Sequence, residues 1–179
     1  MKQNKVEKLL AGVLSISLAM GVSVMPAFAA SGETYADMDS VVIKKNYELA
    51  NEGTFSPAET FSFDIEADNV TDASDDITPE NMPMPTIGTV SYLRGEAGST
   101  TKTKEIKIDL PEYDSVGVYT YIIHEAAGGS AGVTYYGDAI LLRVTVIEQD
   151  GKLRIAAVHT EDPESTGEGK KDDFDNLYS

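Results

Sequence analysis

From Val41 onward the apolar residues fall at every second position in short runs, the repeat of half-buried strands. Val41 to Lys45 is β-branched and short. Thr60-Phe61-Ser62-Phe63-Asp64-Ile65 alternates strictly, with Phe61, Phe63 and Ile65 on one side. Thr89 to Leu93 and Lys104 to Leu110 read as further strands, and Val118 to Glu125 is the strongest. Ile140 to Glu148 and Leu153 to His159 flank Gln149-Asp150-Gly151-Lys152, where Asp-Gly predicts a tight hairpin. Asp173 to Tyr178 is a last short strand. Residues 67–88, rich in Asp, Asn and Pro, read as a long irregular excursion, Ala126 to Gly132 as a Gly-rich turn, and 160–172 as a charged loop. No segment carries a helical period and no internal repeat emerges. Seven or eight short strands joined by turns predict an all-β sandwich.

The first 29 residues do not fit this pattern. Lys2, Lys5 and Lys8 precede an apolar run from Leu9 to Val24, and Met25-Pro26-Ala27-Phe28-Ala29-Ala30 offers small residues for cleavage. This predicts a secretory signal peptide over 1–29, with a run too short for a bilayer span. Residues 30–39 read as a polar leader and 40–179 as one extracellular domain. The net charge of −16 argues against nucleic acid, whose polyanionic backbone requires a basic face, and against anionic membranes after cleavage. With no cysteine there is no disulfide, thiolate nucleophile or Cys-based metal site. Any covalent staple has to use other chemistry.

Strand parity singles out three polar residues. Val41, Ile43 and Lys45 share one face of the first strand, while Lys44 falls on the other with Val42 and Asn46. Tyr119, Tyr121, Ile123 and Glu125 share a face of the Val118 strand, and Phe174, Asn176 and Tyr178 share one in the last strand. Singly, each polar residue reads as a solvated strand end. Three in line with apolar neighbours point to burial, which is costly for a Lys, a Glu or an Asn without partners. Burial disfavours charge, lowering the pKa of an amine and raising that of a carboxylic acid. The Lys45 amine could then attack the Asn176 amide carbon. Glu125, hydrogen-bonded to that carbonyl, would stabilise the developing charge and pass protons to departing ammonia. The product would be a Lys–Asn isopeptide bond, formed once and without a cofactor.

The strings around these residues resemble the isopeptide-linkage domain of Gram-positive major (backbone) pilins of the streptococcal T-antigen type. They are Val42-Ile43-Lys44-Lys45-Asn46, Thr60 to Glu66, Gly117-Val118-Tyr119-Thr120-Tyr121-Ile122-Ile123-His124-Glu125, and Phe174-Asp175-Asn176. The Gly-Val-Tyr-x-Tyr-x-x-x-Glu string is the most specific. The resemblance implies an Ig-like sandwich whose first and last strands are joined by a self-made bond. Lys45 and Asn176 are its ends and Glu125 its catalyst, with Lys44 the second choice of amine. It also implies a pilus-shaft role, a cell-wall location and sortase-linked pilin partners. Lys170 and Lys171 are the candidate sortase acceptors, about one residue off the family's register. The sequence stops at Ser179 without a Leu-Pro-x-Thr-Gly motif, apolar anchor or basic tail. A fragment, one domain of a longer protein, or a protein not polymerised this way are the alternatives.

Three other readings belong to different classes. An Ig-like adhesin module would hold a host protein or glycan on its loops, with Tyr135 and Tyr136 as exposed aromatics. A secreted hydrolase would use paired Asp or Glu carboxylates. A calcium site could draw on Asp64, Glu66, Asp68, Asp72, Asp75 and Asp76, but the stretch lacks the central Gly and terminal Glu of an EF-hand and reads as solvated. His124 and His159 are the only histidines and read as surface residues, and no Gly-x-Ser-x-Gly string accompanies them. No metal ligand set is assigned. Asn69-Val70-Thr71 matches a glycosylation acceptor, without meaning in bacterial export.

Overall fold

The computed structural model describes residues 38–165 and 169–179. The signal peptide over 1–29 and all but the last two positions of the leader therefore lie outside the described residues. The described chain is all-β. In order its strands are β1 (Ser40–Leu49), β2 (Glu59–Phe61), β3 (Phe63–Thr71), β4 (Thr86–Ile87), β5 (Val90–Tyr92), β6 (Thr103–Asp109), β7 (Gly117–Glu125), β8 (Val133–Thr134), β9 (Ala139–Gln149), β10 (Lys152–Glu161) and β11 (Asp173–Tyr178). They form a five-stranded sheet, β4-β6-β1-β11-β8, a four-stranded sheet, β10-β9-β7-β3, and a two-stranded ribbon, β2-β5.

Alternation explains which face of each strand is buried. Val41, Ile43, Lys45 and Tyr47 of β1 turn inward with Ile106 and Ile108 of β6 and Phe174 of β11. From the facing sheet come Tyr119, Tyr121 and Ile123 of β7 and Ile140, Leu142, Val144 and Val146 of β9. Phe63 on β3 meets Phe174 on β11 with ring centroids 5.0 Å apart, so one aromatic pair joins the two sheets. Burying side chains of this size stabilises by about 1.5–3 kcal/mol each.

Beyond the extension of β1 from the expected Lys45 to Leu49, three differences from the sequence expectation stand out. The alternating run from Thr60 to Ile65 is two strands, because at Ser62 the chain leaves the β2-β5 ribbon and enters the four-stranded sheet. β3 runs on to Thr71, through residues expected to be irregular. Its outward positions Asp64, Glu66 and Asp68 are exposed, and a register shift between Ala67 and Asn69 interrupts the alternation. That bulge hides the period. The third difference is in number: eleven strands among the described residues, the extra ones being two- or three-residue pieces too short to show a repeat. The β9-β10 hairpin is as expected, with Asp150 (φ 54°) and Gly151 (φ 73°) both left-handed, as a type I′ turn requires.

The strands that matter most for the site are β1 and β11. They are far apart in sequence yet lie side by side and parallel, with Lys45 opposite Phe174 and Tyr47 opposite Asn176. On its other edge β1 pairs antiparallel with β6. The buried Tyr92 hydroxyl ties down β1 from inside, its one proton within hydrogen-bond reach of the carbonyl oxygens of Lys45 (2.6 Å) and Lys102 (2.8 Å). Tyr92→Phe removes this donor and leaves buried carbonyl oxygen short of a partner. It should lower stability by about 1–2 kcal/mol in urea unfolding, and an unchanged midpoint would show the hydroxyl to be idle.

Candidate functional site

Three strands from two sheets converge on one buried polar cluster. Lys45 on β1 is 0% exposed, Asn176 on β11 2% and Glu125 on β7 8%. The Lys45 amine donates to Asn176 Oδ1 and, at 3.1 Å, to the Phe174 carbonyl. It lies 3.0 Å from Glu125 Oε2, an oxygen with no other hydrogen-bond partner. Asn176 Nδ2 donates to Glu125 Oε1. Each member therefore touches the other two. Glu125 meets the carboxamide through its nitrogen rather than, as anticipated, through its carbonyl. The amine takes the carbonyl instead.

Apolar walls surround the cluster. The Lys45 amine sits 4.5 Å from the centroid of the Phe61 ring, which in turn packs edge-on against Tyr47 and Tyr92. Phe63 and Phe174 close another side. Burial of the amine lowers the Lys45 pKa to about 8, against the opposing pull of the Glu125 carboxylate and, more weakly, of Asp175 and Asp173. Those two aspartates point outward on β11, where the carboxamide of Asn46 donates to Asp175 (2.7 Å).

The other residues singled out from the sequence lie elsewhere. Lys44 is exposed on the outer face of β1, the side its parity assigned. Lys170 pairs with Asp172 at 2.7 Å, and Lys171 with Asp173 at 2.8 Å while its amine sits 5.0 Å from the Tyr136 ring centroid. Tyr135 and Tyr136 are half-buried rather than exposed. Tyr135 packs edge-on against Phe61, and Tyr136 stands perpendicular to Phe174 at 5.3 Å. They are part of the wall around the cluster because the loop before β9 folds back over it. His124 and His159 are exposed, the latter 2.7 Å from Glu161. The acidic residues from Asp64 to Asp76 are exposed, and among the described residues no group of three or more His, Asp or Glu gathers as a metal site would. Sequence reasoning did not connect Phe61 or the Phe174 carbonyl with the amine. Phe61 carried a signal, its inward parity; a main-chain carbonyl carries none.

A family profile described as the Spy0128-like isopeptide containing domain matches residues 41–179. The chain belongs to this family. No curated protein matches it. Among solved structures, it is similar to the major pilin from Streptococcus pyogenes, at 21% identity and a TM-score of 0.63 over 80% of this chain and 51% of that one. It is also similar to the T-13 major pilin from S. pyogenes serotype GAS131465 (21% identity, TM-score 0.62, 80% and 53%). A third is the T3.2 major pilin from S. pyogenes serotype GAS13637 (21%, 0.59, 80% and 54%). The chain thus spans about half the length of the solved pilins it matches. At this identity the likeness establishes a shared fold.

The lowered pKa of Lys45 has a sign that can be checked. Between about pH 8 and 10.5 the unfolded chain holds a proton on Lys45 that the folded chain has released, so folding gains as pH rises through that window. Below about 8 both states are protonated and the contribution is flat. Asn176→Ala keeps the Lys45–Glu125 pair and suits the measurement. Its urea stability should climb across this window relative to the same chain also carrying Lys45→Met, and parallel pH profiles would contradict the lowered pKa.

Proposed function

We propose that this domain is a segment of an exported pilus shaft at the Gram-positive cell surface, stiffened by a bond it makes itself between Lys45 and Asn176. The single observation that supports this most is the mutual contact of a buried amine, a carboxamide and a carboxylate on β1, β11 and β7. Membership of an isopeptide-containing family points the same way.

The chemistry follows from the contacts. Glu125 Oε2 takes a proton from the Lys45 ammonium, and the neutral Nζ attacks Cγ of Asn176. The Nζ–Cγ bond forms as the carbonyl opens. A second Nζ proton passes through Glu125 to Nδ2, where Oε1 is already hydrogen-bonded. The Cγ–Nδ2 bond then breaks and the carbonyl reforms. Ammonia departs and takes up the first proton as ammonium, so Glu125 ends as it began. Contact in a water-poor core supplies much of the rate. The domain turns over once and is consumed as its own substrate, so it is not an enzyme in the ordinary sense. It needs no cofactor.

The mechanical consequence depends on topology. β1 enters at one end of the sandwich and β11 leaves at the other, so tension on the chain shears two neighbouring parallel strands. A bond from Lys45 to Asn176 would carry that tension directly and leave the 131-residue span between them outside the load path. Loop closure on that scale adds about 5 kcal/mol by chain entropy. In a shaft, sortase would join such subunits end to end, with Lys170 and Lys171 as the acceptor candidates.

Intact mass spectrometry tests the chemistry. The purified chain should weigh one ammonia less than its sequence, and Lys45→Ala, Asn176→Ala and Glu125→Ala should each restore the full mass. Full mass in the unsubstituted chain would end the proposal. Single-molecule pulling tests the mechanics. Glu125→Ala should release roughly 450 Å of hidden length, at about 3.4 Å per residue, that the unsubstituted chain never yields.

A further inference from the structure

The seam between β1 and β11 carries a second polar network, on the far side of the sheet from the buried cluster. Asn46, Asp173 and Asp175 point outward there, alternating with the inward Lys45, Phe174 and Asn176. The Asn46 carboxamide donates to Asp175 at 2.7 Å and to Asp173 at 3.4 Å, and accepts from the Thr103 hydroxyl of β6 at 2.7 Å. Two carboxylates on successive outward positions of one strand repel each other. A single cation bridges them. Lys171, in the segment leading into β11, places its amine 2.8 Å from Asp173 and 3.6 Å from Asp175.

This cation is built into the fold. Its side chain is 22% exposed, against 41% for the neighbouring Lys170. The amine lies 5.0 Å from the Tyr136 ring centroid, and that ring stands against Phe174 in the wall of the cluster. The backbone holds the segment as well: Lys171 N–H donates to Thr160 O (3.3 Å) and Lys44 N–H to Asp172 O (2.8 Å). Both outer aspartates act on Lys45 through the sheet and favour its protonated form. The other charged groups around the amine are placed differently. Glu125 on β7 touches it, Lys104 stands opposite it on β6 but is paired with Glu96 at 2.7 Å, Glu59 lies two positions before Phe61 on β2, and Lys44 is exposed. Lys171 joins both aspartates and so sets how much of their field reaches the amine.

We propose that Lys171 is a positioning residue for the Lys45–Asn176 bond, acting through Asp173 and Asp175: it offsets their charge on the outer face so that the amine behind them can give up its proton and attack. This rests on the crosslinking chemistry proposed above and adds to it a residue that touches none of the reacting atoms. Without the Lys171 charge two carboxylates stand uncompensated on the seam. The Lys45 proton is then held more tightly, and below the midpoint of the amine a smaller fraction is neutral.

Two measurements separate this role from the crosslink itself. In full chains carrying Asn176→Ala, which cannot form the bond, the carbon NMR signal of Lys45 Cε reports its protonation, assigned by its loss in Lys45→Met. Adding Lys171→Gln should raise the midpoint by about half a pH unit, the scale of one screened charge, and Lys171→Arg should restore it. Lys44→Gln removes the same charge from an exposed position and should move the midpoint less than half as far. Asn46→Ala loosens the same seam without changing its charge and should leave the midpoint in place. With Asn176 present, chains refolded from urea at full mass are followed by mass spectrometry. At neutral pH Lys171→Gln should lose its ammonia about threefold more slowly than the unsubstituted chain, the two rates converging as pH rises past the midpoint. An unmoved midpoint or equal rates in Lys171→Gln, an equal shift in Lys44→Gln or Asn46→Ala, or no rescue by Lys171→Arg would overturn the role of Lys171 while leaving the crosslink intact. An unsubstituted chain that never loses ammonia would overturn the crosslinking reading, and this role with it, whatever the midpoint does.

Discussion

An amine removed from water must be given other partners, and the interior of this sandwich is arranged around that requirement. Lys45 takes a β1 position whose neighbours on the same face are Ile43 and Tyr47, and nothing in the strand itself could satisfy it. Its partners come from the neighbouring strand β11 and from the facing sheet through Glu125. Leaving such a charge buried and unpaired would cost several kcal/mol. The cluster therefore ties the register of β1 on β11 to the depth at which β7 packs. Slipping any of the three strands by one residue would turn its polar member outward and leave the others unmatched.

The same constraint accounts for the aromatic character of the surroundings. Phe61, Phe63, Phe174, Tyr135 and Tyr136 come from different parts of the chain and all pack around the cluster. Large rings exclude water with few side-chain degrees of freedom to freeze, and the Phe61 face attracts the ammonium directly. Excluding water lowers the Lys45 pKa and brings the neutral amine, the form capable of attack, within reach of ordinary pH. Under the chemistry proposed above, stability and reactivity would draw on this one property of the site. Under the shaft role proposed above, a chain without cysteine would be served by such a crosslink, since it needs neither an oxidant nor a metal.

Legibility in the sequence followed the length scale of each feature. The long strands β7, β9, β10 and β11 were readable because their alternation repeats several times within one segment. The Asp150-Gly151 turn was readable because left-handed backbone is expensive for most residues. The short strands β4 and β8 were not, since two residues cannot display a period, and β2 was read as one strand with β3, while β5 lay within the expected Thr89 to Leu93. The far half of β3 was hidden by its bulge and its acidic outer face. Tyr135 and Tyr136 were misjudged because they lie in and beside a loop, where parity says nothing about burial.

For the cluster itself, the sequence determined which side chains face inward, because alternation along an extended backbone is a local property. It also determined the overall acidity and the absence of thiol chemistry. The tertiary structure alone decided that three inward-facing residues, spread over 131 positions, lie within bonding distance. It decided too that the carboxylate meets the amide through its nitrogen. Those facts depend on which strands become neighbours and in what register, and that choice is made by the packing of whole sheets rather than by any one segment.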